Sequence, residues 1–196
     1  MGRSVYRPNP ERPYSVKLIA TSLTGAWLVD IERLEDARGF FARTVCTDSF
    51  RRHGLNGTFV QQSVSWNRQR GVLRGLHFQA APHAEEKLVR VTRGRLFDVI
   101  VDLRPDSATQ NRWFGVELSA QDHRALYIPK GFAHGFQTLE DDTEILYQMT
   151  VPHHPESARG LRWNDPALGI TWPNPAEAIL SERDASLPLT SEGASS

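Results

Sequence analysis

Hydrophobic and polar residues alternate in short bursts from Trp27 onward, and no burst holds a helical period for long. The segments "WLVDIERL", "TFVQQSVSW", "VLRGLHF", "KLVRVTRG", "RLFDVIVDL", "FGVEL", "ALYIP", "GFQTL" and "EILYQMT" are rich in branched and aromatic residues and are separated by turn formers. Nine short strands of this kind predict an antiparallel barrel or sandwich. Only "TDSFRRHG", with Thr47 or Asp48 as cap and Gly54 as stop, and "SERDAS" near the end read as helical. Strands alternating with long helices are missing, which counts against a doubly wound nucleotide-binding fold. There is no internal repeat.

Turn residues sharpen the pattern. "TRGR" (Thr92 to Arg95) sets a glycine between two strand runs, where a tight hairpin needs positive φ. "IPKGFAHGF" (Ile128 to Phe136) carries a proline that cannot donate to a central ladder, and glycines on both sides of His134. This predicts His134 on a bend where a strand begins, a position that can open onto a barrel mouth.

Composition adds limits. A chain of 196 residues, 39% hydrophobic, can bury one sizeable core, so a single domain is expected over about residues 16–190. The proline-rich start, residues 1–15, and the small polar end, residues 191–196, read as poorly ordered arms. The 23 basic and 23 acidic residues cancel, leaving no bulk charge to hold nucleic acid or an anionic membrane. One cysteine, Cys46, excludes an internal disulfide framework, and "MGRSVYRPNPERPYS" lacks the apolar core of a secretory signal. The cytoplasm is therefore the expected compartment. No apolar run approaches the roughly 20 residues of a membrane span; "LFDVIVDL" is broken by aspartates.

Candidate chemistry begins at "GVLRGLHFQ" (Gly71 to Gln79), which sets His77 between two apolar residues, three places after Arg74. With His77 on one strand and Pro129, Gly131 and His134 leading a later one, the pattern resembles the cupins, whose histidines converge inside a jelly roll. Metal cupins usually carry two histidines at alternating positions and then a glutamate. Gln79 stands where the second histidine would be, leaving only His77, His134 and Glu85 or Glu86, so no metal cofactor is expected. His83, His153 and His154 lie in loop-like stretches and read as solvated surface histidines.

Without a metal, a neutral imidazole with a reference pKa of about 6.5 suits proton removal near neutral pH, above all with a carboxylate to orient it. Arg74 has the opposite parity to His77, so a bulge or bend at Gly75 is needed to bring both inward. Lys87 opens the next strand. Cations around a base suit a phosphate-bearing substrate that develops negative charge, such as an enolate. On spacing alone, the same residues read equally well as a solvated strand face beside a core histidine.

The blocks "RGFF" (Arg38 to Phe41), "GVLRGLHFQ", "KLVRVTRGRLFDVIVDLR" (Lys87 to Arg104), "YIPKGFAHGF" (Tyr127 to Phe136), "ILYQMT" (Ile145 to Thr150) and "LRWNDPALGITWP" (Leu161 to Pro173) occur in order. Together they resemble the dTDP-4-dehydrorhamnose 3,5-epimerases, from about Thr24 to Leu189. The resemblance implies an all-β cupin jelly-roll barrel with a few short helices. It also implies a homodimer without cofactor that acts on a nucleotide-linked 4-keto-6-deoxyhexose. The ketone acidifies the hydrogens on carbons 3 and 5, so a base can remove one and reprotonation from the opposite face inverts the centre. By resemblance His77 is the base, Asp184 its paired carboxylate, Lys87 the enolate stabiliser and Tyr147 the acid. Arg38, Arg74 and His134 would hold the diphosphate or position the sugar, and Phe40, Gln61 and Trp163 would line the pocket.

Several positions depart from the family pattern. Arg43 stands for a glutamate, Ser63 for an asparagine, Gln148 for a lysine, and Pro152 and His153 for a pair of tyrosines, one of which stacks on the base. Such changes imply altered nucleotide or sugar specificity, with inversion at carbon 3, carbon 5 or both. A metal-dependent cupin enzyme and a non-catalytic sugar-binding cupin are the rival classes.

Overall fold

Two antiparallel sheets face each other and trap the main core between them. The computed structural model describes residues 16–193; residues 1–15 and 194–196, which hold the first expected arm and the end of the second, lie outside the described residues. In chain order the strands are β1 (Val16–Ala20), β2 (Trp27–Ile31), β3 (Leu34–Asp36), β4 (Gly39–Phe41), β5 (Gln61–Asn67), β6 (Leu73–Gln79), β7 (Lys87–Arg93), β8 (Arg95–Asp102), β9 (Trp113–Ser119), β10 (Ala125–Ile128), β11 (Phe132–Thr138), β12 (Thr143–Met149) and β13 (Ala158–Gly160). One sheet runs β1-β2-β10-β7-β12-β5 and the other β13-β6-β11-β8-β9, while β3 and β4 form a separate hairpin. Each of the nine expected segments holds a strand. The all-β architecture is as expected, but the described sheets are not hydrogen-bonded into a closed barrel.

Alternation decides which residues enter the space between the sheets. On β7, Val89 and Val91 join Leu96, Ile100, Phe132, Phe136 and Ile145 in the inter-sheet core. The intervening Leu88 packs on the outer side of its sheet with Val29, Ala125, Tyr127 and Phe50 of α1 (Thr47–Arg52). The outer side of the five-stranded sheet is covered by the C-terminal segment through Leu161, Leu168 and Trp172. Two further helices, α2 (Glu182–Ala185) and α3 (Thr190–Gly193), are single turns. No helix among the described residues is long and apolar enough to cross a membrane.

Two local expectations need correction. The N-cap of α1 is Cys46, extended at φ −137° and ψ 106° and making no side-chain cap bond, while Asp48 lies within the first turn and pairs with Arg51 at 3.0 Å. His134 is not on an entry bend; it is the third residue of β11, in register with His77 on β6 and Ile100 on β8. Gly131, with φ +77°, makes the turn before the strand.

The expected irregularity at Gly75 is present. His134 pairs with His77 and Phe136 with Arg74, so two steps on β11 match three on β6. The extra residue resets the alternation. Leu76 and Leu73 face the outer cluster, while Arg74 and His77 share the inner face. Gly75 has φ +121°, and a Cβ there would lie 2.6 Å from the Cα of Gly135 on β11, so both the conformation and the space demand glycine.

Candidate active site

The cleft between the sheets draws one set of polar groups from each wall. From the five-stranded sheet come Arg74 and His77 on β6, Asp98 on β8 and His134 on β11. From the six-stranded sheet come Lys87 on β7, Tyr147 on β12 and Gln61 on β5; Met149 pairs with both Lys87 and Gln61, placing them in one row.

His77 Nε2 lies 2.7 Å from Oδ1 of Asp184, a carboxylate only 6% exposed. A carboxylate oxygen accepts, so Nε2 carries the proton and Nδ1 keeps a lone pair. The other oxygen, Oδ2, accepts from the Gly75 amide at 3.3 Å, and Ser181 caps α2 by accepting from the Asp184 amide at 3.1 Å. The last helical turn therefore aims Asp184 at the bulged strand. Burial pushes the His77 pKa below its ordinary value, outweighing the bond to Asp184, and the Lys87 and Arg183 charges add to the lowering.

Tyr147 sits on the facing wall, its ring edge-on to His134 with centroids 5.9 Å apart. Burial pushes its phenol well above the ordinary tyrosine range; the Asp98 charge adds to the rise and Arg74 opposes it. His134 Nε2 lies 2.6 Å from Asp98 Oδ1, and both side chains are almost fully buried. The second oxygen, Asp98 Oδ2, is buried without a hydrogen-bond partner. Lys87 pairs with Glu85 at 3.1 Å, and Arg74 donates to Asn67 Oδ1 at 2.8 Å.

The structure thus brings together His77, Asp184, Lys87, Tyr147, Arg74, Gln61 and His134, while His134 spends its Nε2 on Asp98 rather than on an open position. It does not bring Arg38, Phe40 or Trp163 to this group. Arg38 projects on the β3–β4 hairpin, paired with Asp36 at 2.6 Å. Phe40 packs against His123, with centroids 5.0 Å apart, and under Arg33. Trp163 joins the outer-face cluster, edge-on to Trp172. Sequence reasoning missed Asp98 and Asn67. Asp98 was findable: in "RLFDVIVDL" it has the parity of Ile100, a carboxylate at a position that alternation buries.

Gln79, at the place of the second histidine of metal cupins, is buried and donates to the carbonyls of His83 and Pro152 and to Glu85. Glu85 is held by Lys87 and Gln79. Among the described residues, three possible metal-ligand atoms come within 4.8 Å of one another only at His83, His154 and Glu156, outside the cleft. His83 and His154 are not simply solvated, as their loops predict: their rings stack with centroids 3.5 Å apart.

An imidazole fixed by a carboxylate on one wall, a protonated phenol on the other and a lysine beside them can take a proton from one side of a substrate and return one to the other. Fold and cleft together define an isomerase of the cupin type. The chain belongs to the dTDP-4-dehydrorhamnose 3,5-epimerase family, whose model matches residues 20–192. It is 46% identical over 170 residues to the dTDP-4-dehydrorhamnose 3,5-epimerase of Methanothermobacter thermautotrophicus, spanning 86% of this chain and 91% of the relative. The crystal structure of the Elizabethkingia anophelis enzyme of that name superposes with a TM-score of 0.88 at 39% identity, covering 91% of this chain and 98% of that one. The Bacillus anthracis enzyme, solved with TDP and PPi bound, gives 0.85 at 43% identity, with 89% and 99% covered.

Proposed function

We propose that the protein inverts carbon 3, carbon 5 or both of a nucleotide-linked 4-keto-6-deoxyhexose, in the making of a deoxysugar. His77 Nδ1 removes the proton next to the ketone, and the electron pair moves onto the ketone oxygen as an enolate, which the Lys87 ammonium stabilises. Tyr147 delivers its proton to the opposite face of the same carbon. Solvent then restores the phenol and takes the proton from His77, so the reaction needs no net proton and no cofactor. The observation that carries this reading is the His77–Asp184 pair at 2.7 Å, on one wall of a cleft whose other wall carries Tyr147. The lowered His77 pKa leaves it neutral at neutral pH, and the raised Tyr147 pKa keeps the phenol protonated, the states that a base and an acid need.

Arg74, held by Asn67 at the bulge, would meet the diphosphate or the sugar. Ser63 pairs with Tyr147 across β5 and β12 and stands exposed at the cleft, so the change from the family's asparagine falls beside the proposed acid. This supports altered specificity for the nucleotide or sugar. The Bacillus anthracis relative carries TDP, and a thymidine diphospho-sugar is the first substrate to try. The unpaired Cys46 fits a reducing compartment, the cytoplasm.

A homodimer is part of the same proposal. Phe41 is 65% exposed, Val64 59% and Trp66 46%, apolar surface that a second copy would cover. Sedimentation should give about twice the chain mass of 22.1 kDa; a monomer at micromolar concentration overturns this part.

The reaction is tested by incubation with dTDP-4-keto-6-deoxyglucose in heavy water, following deuterium at carbons 3 and 5 by NMR. Label at both carbons is expected of a double epimerase and label at one of a single epimerase. His77→Ala should lower the exchange rate by about 100- to 10,000-fold; a folded variant that exchanges at the parent rate removes His77 as the base.

A further inference from the structure

We propose that His83, His154 and Glu156 form a binding site for a borderline divalent transition ion of the Zn²⁺ class, outside the catalytic cleft. Glu156 Oε1 lies 2.9 Å from His154 Nδ1 and 3.8 Å from His83 Nδ1, and the three ligand atoms fall within 4.8 Å of one another. An ion bonded to imidazole nitrogen and carboxylate oxygen at about 2.0–2.2 Å holds its donors roughly 3.0–3.5 Å apart, close to this spacing. Two imidazoles and one carboxylate suit zinc and its neighbours better than magnesium or calcium, which prefer all-oxygen sets.

The donors sit on a scaffold that is already fixed. Gln79, 5% exposed at the end of β6, donates to the His83 carbonyl at 3.1 Å and accepts from the His154 amide at 2.6 Å, so one buried side chain clamps both ligand-bearing segments. Ser157, also buried, holds His83 Nδ1 through its hydroxyl at 2.9 Å. The two rings lie parallel, 5° apart, with centroids 3.5 Å apart.

A metal in the plane of both rings requires them to tilt apart and His83 to exchange Ser157 for the ion. Side-chain exposures of 30% and 32% leave the histidines room to do so. The two segments join the strands that carry the chemistry: His83 lies between β6 and β7, and His154 and Glu156 between β12 and β13. A bound ion would brace the rim of the cleft without entering it, so its role is structural.

The test is calorimetric titration of the full chain with ZnCl₂ in metal-free buffer, a readout independent of epimerisation. One ion per chain with micromolar or tighter affinity is expected. His83→Ala and His154→Ala should each weaken binding at least about tenfold, while His153→Ala, which alters the exposed neighbour, should leave it unchanged. Zinc titration of the parent protein, followed through the histidine ring resonances by NMR, should move His83 and His154 first and leave His77 and His134 in place. No uptake, unaltered affinity in both variants, or first shifts at His77 and His134 would overturn the proposal.

Discussion

His77 shows how two opposed effects set one residue's usefulness. Burial penalises its charged form more than Asp184 rewards it, so the imidazole is neutral over the whole neutral range. For a base active when unprotonated, the rate rises as pH climbs through this lowered pKa, which places the ascending limb below about pH 6.5. In the proposed role Tyr147 works in the reverse sense: an acid active when protonated fails only above its raised pKa, beyond about pH 10. A plateau of kcat/KM between those limits is expected. Asp184→Asn offers a control on the assignment. Loss of the carboxylate removes an influence that raises the His77 pKa and frees the ring to take the wrong tautomer. The plateau rate should fall by about 100-fold or more, with the ascending limb moved to lower pH. An unchanged limb would show that Asp184 does not act through His77. At this scale, "RGLHF" makes His77 legible, but Asp184 lies 107 residues away and meets it only through the folded C-terminal turn.

At the scale of elements, the bulge in β6 determines which side chains enter the cleft. Without its extra residue Arg74 would face the outer cluster with Leu76, and the inner wall would lose its cation. Gly75→Ala would force a side chain into φ +121° and its Cβ to 2.6 Å from the Gly135 Cα. Strain of this kind costs about 1–3 kcal/mol. Thermal denaturation should show the loss, and KM should rise with it as Arg74 moves. A variant as stable as the parent with an unchanged KM would show that β6 tolerates regular pairing.

Elements also mark how far the sequence can be read. Long alternating runs such as "RLFDVIVDL" carry their own signal, and the strand they predict is β8. The three-residue strands β3, β4 and β13 are too short to alternate and exist through their partners, Phe41 opposite Leu34 and Gly160 opposite His77. The lone cap of α1 illustrates the same limit, since Thr47 and Asp48 both qualify by type while Cys46 takes the position by geometry.

Over the whole molecule, sequence pattern gives the two-sheet architecture, and tertiary pairing gives the site. Strand order β1-β2-β10-β7-β12-β5 interleaves distant segments, so Lys87 and Gln61 become near neighbours although 26 residues separate them. The expectation for Arg38 and Phe40 rests on resemblance alone, because within one chain their hairpin stays against His123 and Arg33. A homodimer would give that exposed hairpin a surface on which to settle.

The cleft opens between sheets that share no ladder: β5 is the outermost strand of one, while β6 lies inside the other, between β13 and β11. β5 and β6 lie consecutively in the chain yet belong to different sheets, with Arg74 reaching across to Asn67 at 2.8 Å. A ligand that touches Arg74 and His77 on one wall and Lys87 and Tyr147 on the other ties the two sheets together. At a hundred times its dissociation constant it should add about 2.7 kcal/mol to stability, and amide exchange should slow most in β6, β7 and β12. Substrate binding and the tie between the sheets would then draw on the same few contacts.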